Sequence, residues 1–173
     1  MIRITDSIAH FKCVKNIRNM YYISWDCQII VDYVKDAEGN VIEKNSNYAT
    51  WMVEQFKYKP TLDNIKSIIL RWYNNQIDQK ILSGFVWKDM QVWLSRENQF
   101  NYKAAYDLAL QTNGANLPCK FKFGSTEEPI YYTFESVGDL QDFYMSAMNF
   151  INTTLNEGWA KKDTINWEDY KYD

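Results

Sequence analysis

The chain has 173 residues, which is about the length of one domain and is enough to bury a hydrophobic core without disulfides or metal ions. Its net charge is -3 and its isoelectric point about 5.2, which argues against the basic face typical of a nucleic-acid-binding protein. No apolar run approaches the ~20 residues that cross a bilayer, and the N-terminus lacks the apolar stretch of a signal peptide, so we expect the chain to stay in a cytoplasm.

The N-terminal part, residues 1–58, is predicted to be a β-rich arm. The aromatic and β-branched segment Tyr21–Tyr33 alternates in part, which is typical of a strand. Asp36–Asn40 has the composition of a turn, and Val41–Tyr58 is predicted to return as the second strand of an extended hairpin. A helix over Tyr48–Phe56 is the competing interpretation, and the periodicity does not decide between the two.

The second part, residues 59–173, is predicted to be a compact α+β module. Thr61 is a suitable N-cap, and apolar residues three or four positions apart predict an amphipathic helix that ends in a left-handed C-cap at Gly84. Two short strands, Phe85–Trp87 and Gln91–Leu94, are predicted to follow.

Two further helices and a hairpin complete the predicted module. Ser95 is expected to cap a helix that runs through Leu110. Cys119–Phe123 and Ile130–Phe134 read as a hairpin, and a third helix is predicted from Ser136 to Gly158. The predicted fold class is therefore α+β, with antiparallel β-hairpins packed against about three helices and an N-terminal extended β-hairpin arm.

Histidine, the commonest general base and metal ligand, is rare in this chain. His10 is the one histidine, and we expect it to be solvated. The three cysteines, Cys13, Cys27 and Cys119, form no CxxC pair and are interpreted as reduced core or surface residues. The glycines form no phosphate-binding pattern. No metal site and no cofactor is therefore predicted.

The sequence contains two pairs of adjacent acidic residues, and glycosidases use paired carboxylates. Glu127 and Glu128 lie in a predicted turn, and Glu168 and Asp169 lie in the C-terminal tail. Carboxylates in such places are usually solvated, and sequence proximity does not place two acids across a cleft. We therefore predict no catalytic residue and expect that the protein is not an enzyme.

The aromatic content is high, with 7 Trp, 13 Tyr and 9 Phe. Trp and Tyr have apolar faces and a polar group, so they suit both half-buried positions and interfaces. Sugar binding is one hypothesis, because such rings stack on sugars; its candidates are Trp87 and Trp93, with Trp25 and Trp51 in the arm. The alternative, which we favour, is that these side chains fill the core.

The arm favours contact between proteins. A long hairpin with little helix to cover it leaves aromatic faces and strand edges open, and pairing with another chain is one way to cover them. We therefore predict that residues 21–58 dock on neighbouring subunits. The candidate interface residues are Tyr21, Tyr22, Trp25, Tyr33, Tyr48, Trp51, Phe56 and Tyr58.

The second part of the chain resembles a module of unknown activity that is encoded in tail gene regions of phages and prophages of gut bacteria, including crAss-like phages. The resemblance is centred on Lys80–Trp87 and Val92–Ala109 and covers residues 59–167. Its further segments are Lys59–Asp63, Leu117–Pro118, Tyr132–Phe134 and Leu155–Trp159.

The resemblance implies a virion context and carries over no catalytic residues. We expect a structural ring or tail-barrel component, located in the virion tail, that forms a homo-oligomer and contacts other tail or portal-proximal proteins. Neither a membrane nor a specific nucleic-acid sequence is an expected partner. A ring requires a head-to-tail interface between two different patches. The alternatives are a tail-fibre assembly chaperone and a glycan-binding tail tip protein in host adsorption.

Overall fold

A computed structural model describes residues 1–8 and 13–171, so the interpretation of His10 lies outside the described residues. The model confirms the α+β class. The strands are β1 (Ile2–Ser7), β2 (Val14–Ile17), β3 (Met20–Lys35), β4 (Val41–Phe56), β5 (Phe85–Trp87), β6 (Met90–Val92), β7 (Cys119–Gly124) and β8 (Pro129–Phe134). The helices are α1 (Leu62–Ser83), α2 (Arg96–Gln111), α3 (Val137–Asp163) and a 3-10 helix (Trp167–Tyr170).

The chain divides into two compact units. The first unit comprises Met1–Leu70 and the tail from Ile165, and the second comprises Arg71–Thr164. This division falls inside α1, whereas the sequence predicts a boundary after residue 58. The C-terminal tail belongs to the first unit, although it is far away in sequence.

The first unit contains a four-stranded antiparallel sheet in the order β1-β4-β3-β2. Residues 48–56 belong to β4 and pair with both neighbours, so the strand interpretation of this segment is correct and the helix alternative is wrong. Only one part of the sheet is buried. The buried residues of β3 and β4 are Ile23, Ser24, Trp25, Ala49 and Val53.

The tail of the first unit is held to the sheet by a buried hydrogen bond. The hydroxyl of Tyr170, which is itself buried, donates to the carbonyl oxygen of Ser24 at 2.8 Å. The tail forms a short 3-10 helix that Asn166 caps by accepting a hydrogen bond from the backbone N–H of Glu168. The ammonium of Lys66 lies 5.6 Å from the ring centroid of Trp167, within the range of a cation–π contact.

The helix starts follow the predicted capping residues. The hydroxyl of Thr61 accepts a hydrogen bond from the backbone N–H of Asn64 at 3.2 Å, just before α1. Ser95 caps α2 and Ser136 caps α3 in the same way, each through its side-chain oxygen. These bonds satisfy backbone donors that a helix cannot pair internally, which is why Ser and Thr mark its N-terminus.

The core of the second unit is largely aromatic. The Phe143 ring of α3 lies 4.9–6.3 Å, centroid to centroid, from five other rings. These partners are Phe85, Trp87, Tyr102, Phe123 and Phe134. In β7, Phe123 is buried and Phe121 half-buried while Lys120 and Lys122 are exposed, as the alternation predicts. Much of the aromatic content therefore fills this core.

Two glycines differ from their predicted roles. The backbone of Gly84 is not left-handed; instead, an added Cβ would lie 2.5 Å from the Lys80 carbonyl oxygen and 3.1 Å from Phe150. The predicted end of α3 at Gly158 is also wrong, because the helix continues to Asp163. Gly158 is buried within α3, and an added Cβ would overlap the side chain of Ile77. Both glycines permit close packing.

Candidate interaction surface

The β3–β4 pair of the first unit is largely exposed at the end that carries its connecting turn. We call residues 30–47 the distal hairpin. β1 pairs with β4 only over residues 48–53, and β2 pairs with β3 only over residues 20–23. The distal hairpin is therefore two strands wide, and no described strand pairs with either of its outer edges. Such a ribbon is only marginally stable by itself and presents unpaired backbone groups.

A β-bulge marks the point where β3 leaves the buried part of the sheet. The register shifts between Trp25 and Gln28, and Asp26 has a positive φ of 53°. The carboxylate of Asp26 accepts hydrogen bonds from Arg3 and Gln28, which holds the bulge in place. Bulges bend a strand and increase its twist. The β3 side chains just before the bulge, Ile23–Trp25, are buried, and most of those after it are exposed.

The turn of the distal hairpin is ordered by one carboxylate. Asp36 accepts hydrogen bonds from the backbone N–H groups of Glu38 and Asn40 and from the Asn40 side chain. These bonds, led by the one from the Asn40 side chain, lower the pKa of Asp36 below its ordinary value. Gly39 supplies the positive φ of 86° that the turn requires. The turn thus fixes the register of the two strands.

The distal hairpin has apolar side chains on both faces. Val31, Tyr33 and Val41 share one face, while Val34 and Ile42 are paired on the other. All five are exposed, and Tyr33 reaches 70% exposure. An apolar surface on both faces of a ribbon is unusual for a chain that functions alone.

The eight predicted interface residues are divided between the surface and the interior. Tyr33, Tyr48 and Tyr58 are exposed. Trp25 is only 3% exposed and belongs to the interior of the first unit. The remaining four are half-buried: Tyr21, Tyr22, Trp51 and Phe56.

Sequence reasoning based on aromatic residues missed the aliphatic part of this surface. The missed residues are Val31, Val34, Val41 and Ile42. A signal for them was present, because the turn at Asp36–Asn40 implies that the β-branched residues just before and after it pair with each other. Their exposure was not predictable, since it depends on where β1 and β2 stop.

A second surface feature is an open cleft on the second unit, with a volume of about 420 Å³. Trp93, which is 42% exposed, lines it together with Asn98, Lys122, Ser125 and Thr126. The indole N–H of Trp93 donates to the Gly124 carbonyl oxygen at 3.0 Å, and the Asn98 amide donates to the Trp93 carbonyl oxygen at 2.9 Å. These bonds hold an accessible indole beside a cation and several polar groups.

Trp87, the other tryptophan proposed for sugar binding in the second unit, belongs to the core. It is buried, and its indole N–H donates to Asp142 at 3.1 Å. Next to it, Lys88 donates to Asp139 at 2.8 Å and to Tyr132 at 2.9 Å. These two bonds raise the pKa of the Lys88 ammonium above its ordinary value. Lys88, Tyr132 and Asp139 thus connect the β5–β6 turn to the start of α3, and we interpret these contacts as structural.

The remaining polar candidates among the described residues include the three cysteines and the C-terminal acidic pair. The three cysteines are free thiols, and the pKa of each is raised mainly by burial, which favours the protonated form. Glu168 pairs with Lys171 at 2.7 Å, and the side-chain amide of Asn166 donates to Asp169 at 2.9 Å. Within residues 1–8 and 13–171, no group of three or more His, Cys, Asp or Glu side chains is placed to hold a metal ion.

Comparison with known proteins found no match for this chain among protein-family models, curated proteins or solved structures. Among the described residues, no helix has both the length and the apolar character needed to cross a membrane.

Proposed function

We propose that this chain is a non-catalytic structural component of a tailed-phage virion, a ring or tail-barrel protein that assembles with further copies of itself and with other tail proteins. The observation that carries the proposal is the distal hairpin, which combines two open strand edges with apolar side chains on both faces. Burying such edges and faces against neighbouring subunits provides the free energy of assembly. The resemblance of residues 59–167 to phage tail modules supplies the virion context.

The assembly proposal predicts that a variant of the distal hairpin is monomeric. Replacing Tyr33, Val34 and Ile42 by Thr keeps a residue type that favours strands but removes most of the exposed apolar area. Wild type is expected to form a closed oligomer, and the triple variant a monomer, in light scattering and in electron microscopy of the purified protein. Circular dichroism of both proteins checks that the fold is retained.

Phe100→Thr is the matched control, because Phe100 is 71% exposed on α2, outside the distal hairpin. This variant is expected to assemble like wild type. A wild-type protein that remains monomeric at every concentration would contradict the proposal. Mass spectrometry of purified virions separates it from the chaperone alternative, since a structural component is present in stoichiometric amount and a chaperone is absent.

Glycan binding in host adsorption is a second candidate function, favoured by the Trp93 cleft. Sugar rings present C–H faces that pack on an indole, and their hydroxyls bond to amide, hydroxyl and ammonium groups like those of Asn98, Ser125 and Lys122. The hydrogen bond from the indole N–H to Gly124 fixes the ring before a ligand arrives, which lowers the entropic cost of binding.

The glycan candidate is tested on an array of bacterial cell-surface glycans. Trp93→Ala is expected to weaken binding by about tenfold or more, and Trp93→Phe, which keeps a ring face, by less. Trp159→Ala is the control, because Trp159 is similarly exposed on α3. Absence of binding by the wild type, or equal loss in the Trp159 variant, would remove this candidate.

A further inference from the structure

We infer that the outer edge of β4 in the distal hairpin pairs with the outer edge of β3 in the distal hairpin of the next copy, in antiparallel orientation. The inference rests on the proposed function, which requires assembly, and it identifies the occupant of the open edges as a second copy of the same ribbon.

The first argument is the position of the open edges. Within one chain β3 and β4 are antiparallel, and in the distal hairpin, before residue 48 of β4, no described strand pairs with their outer edges. If copies are related by rotation about an axis roughly along the strands, each β4 meets the next β3 in antiparallel orientation. Both edges of every hairpin are then satisfied except where the series ends, and ring closure removes the ends. If two copies instead paired like edges around a two-fold axis, one outer edge of each hairpin would remain open.

The second argument is charge. The charged residues of the paired segments are Asp32 and Lys35 on β3 and Glu43 and Lys44 on β4. Inside the chain, Asp32 lies opposite Lys44, and Val34 lies opposite Ile42. If the same register is repeated between copies, the same complementary pairs form on the outer edges. Opposite charges placed across strands are stabilising.

Registers between copies that are shifted from this one differ in how they place the charged residues. A shift of two residues can place Lys35 opposite Glu43, which again pairs opposite charges. A shift of one residue places Asp32 opposite Glu43; in the other direction, Lys35 faces Ile42, Glu43 faces Val34, and no charges are paired. A shift of three places Lys35 opposite Lys44. Among shifts of up to three residues, opposite charges therefore face each other only in the unshifted register and with this shift of two, so the charges favour an even register.

Even shifts have a geometric consequence. They bring odd-numbered residues of β3 opposite odd-numbered residues of the neighbouring β4, so that each face of one ribbon continues into the same face of the next. They also allow a stagger of about one residue per strand, the value found in an eight-stranded barrel with a shear of 8. Tyr33 should therefore lie opposite one of the odd-numbered residues of the neighbouring β4.

The test is disulfide cross-linking between full-length variants that each carry one introduced cysteine, mixed in pairs under mild oxidation. All carry Cys27→Ser, because Cys27 is exposed; Cys13 and Cys119, which are half-buried, remain, and this background alone is the baseline. Tyr33→Cys is mixed with each partner in turn. The same-face partners are Val41→Cys, Glu43→Cys and Asn45→Cys, and the opposite-face controls are Ile42→Cys and Lys44→Cys. Light scattering of each mixture records assembly separately.

The expected result is a covalent dimer with at least one same-face partner and none with the opposite-face controls or with Tyr33→Cys alone. Assembly without any same-face cross-link would overturn the edge pairing and leave the proposed function intact. The edge pairing is also overturned if Tyr33→Cys cross-links to Ile42→Cys as strongly as to the same-face partners. A cross-link of Tyr33→Cys to itself would indicate two-fold pairing and would overturn it as well. Absence of assembly in the Cys27→Ser background and in wild type overturns both.

Discussion

Replacing Phe143 by Ala is expected to lower the free energy of unfolding of the second unit by about 3–5 kcal/mol. The Phe143 side chain is fully buried and contacts rings from β5, α2, β7 and β8. Its removal therefore leaves a cavity at the point where these elements meet. Since small domains are stable by only about 5–15 kcal/mol, much of the margin disappears. Urea denaturation followed by tryptophan fluorescence measures the change.

Phe100→Ala is the control for this prediction, because it removes the same side chain from an exposed position on α2. Its effect is expected to stay within about 0.5 kcal/mol. Similar losses in the two variants would mean that Phe143 does not organise the core. Near-ultraviolet circular dichroism provides a second measurement if Phe143→Ala does not fold, because lost packing of the rings removes that signal.

Gly158→Ala is expected to destabilise the same unit by about 1–3 kcal/mol, although Ala is the better helix former. An added methyl group would overlap the Cγ1 and Cδ1 atoms of Ile77, where α1 and α3 pack together. Both residues are buried, so the Ile77 side chain has little room to move. The shift in the thermal unfolding midpoint measures the cost.

A double-mutant cycle identifies the cause of that cost. Ile77→Ala removes both overlapping atoms, so the methyl group introduced by Gly158→Ala should partly fill the resulting cavity. The double variant is then more stable than the sum of the two single effects predicts, by about 0.5–3 kcal/mol. Additive effects would show that the glycine is not required for contact with Ile77. Gly138→Ala is a control, because only the Ser136 hydroxyl oxygen, at 4.0 Å, lies near an added Cβ.

Local signals predicted the elements well because the residues that create them are close in sequence. Thr61, Ser95 and Ser136 cap the helices that they were expected to cap, and the composition of residues 36–40 predicted the turn between β3 and β4. The roles of Gly84 and Gly158 were not predictable, because what approaches each glycine lies on another part of the fold. Sequence periodicity does not show which distant side chain fills the space beside a glycine.

The interaction surface was only partly predictable for the same reason. The aromatic pattern located the hairpin, but it grouped buried Trp25 with exposed Tyr33. The difference between them arises from the bulge at Asp26 and from the lengths of β1 and β2, which are tertiary features. The Trp93 cleft depends likewise on the contact of its indole with Gly124, 31 positions away.

The hydrogen bond between Tyr170 and Ser24 has a consequence for synthesis. The ribosome must produce all of residues 71–164 before Tyr170 can reach its partner in β3. The second unit is contiguous and can fold as soon as it emerges, whereas the sheet waits without its C-terminal fastening. During that interval the buried part of the sheet lacks the Tyr170 side chain, so the first unit completes its packing only after translation of residue 170.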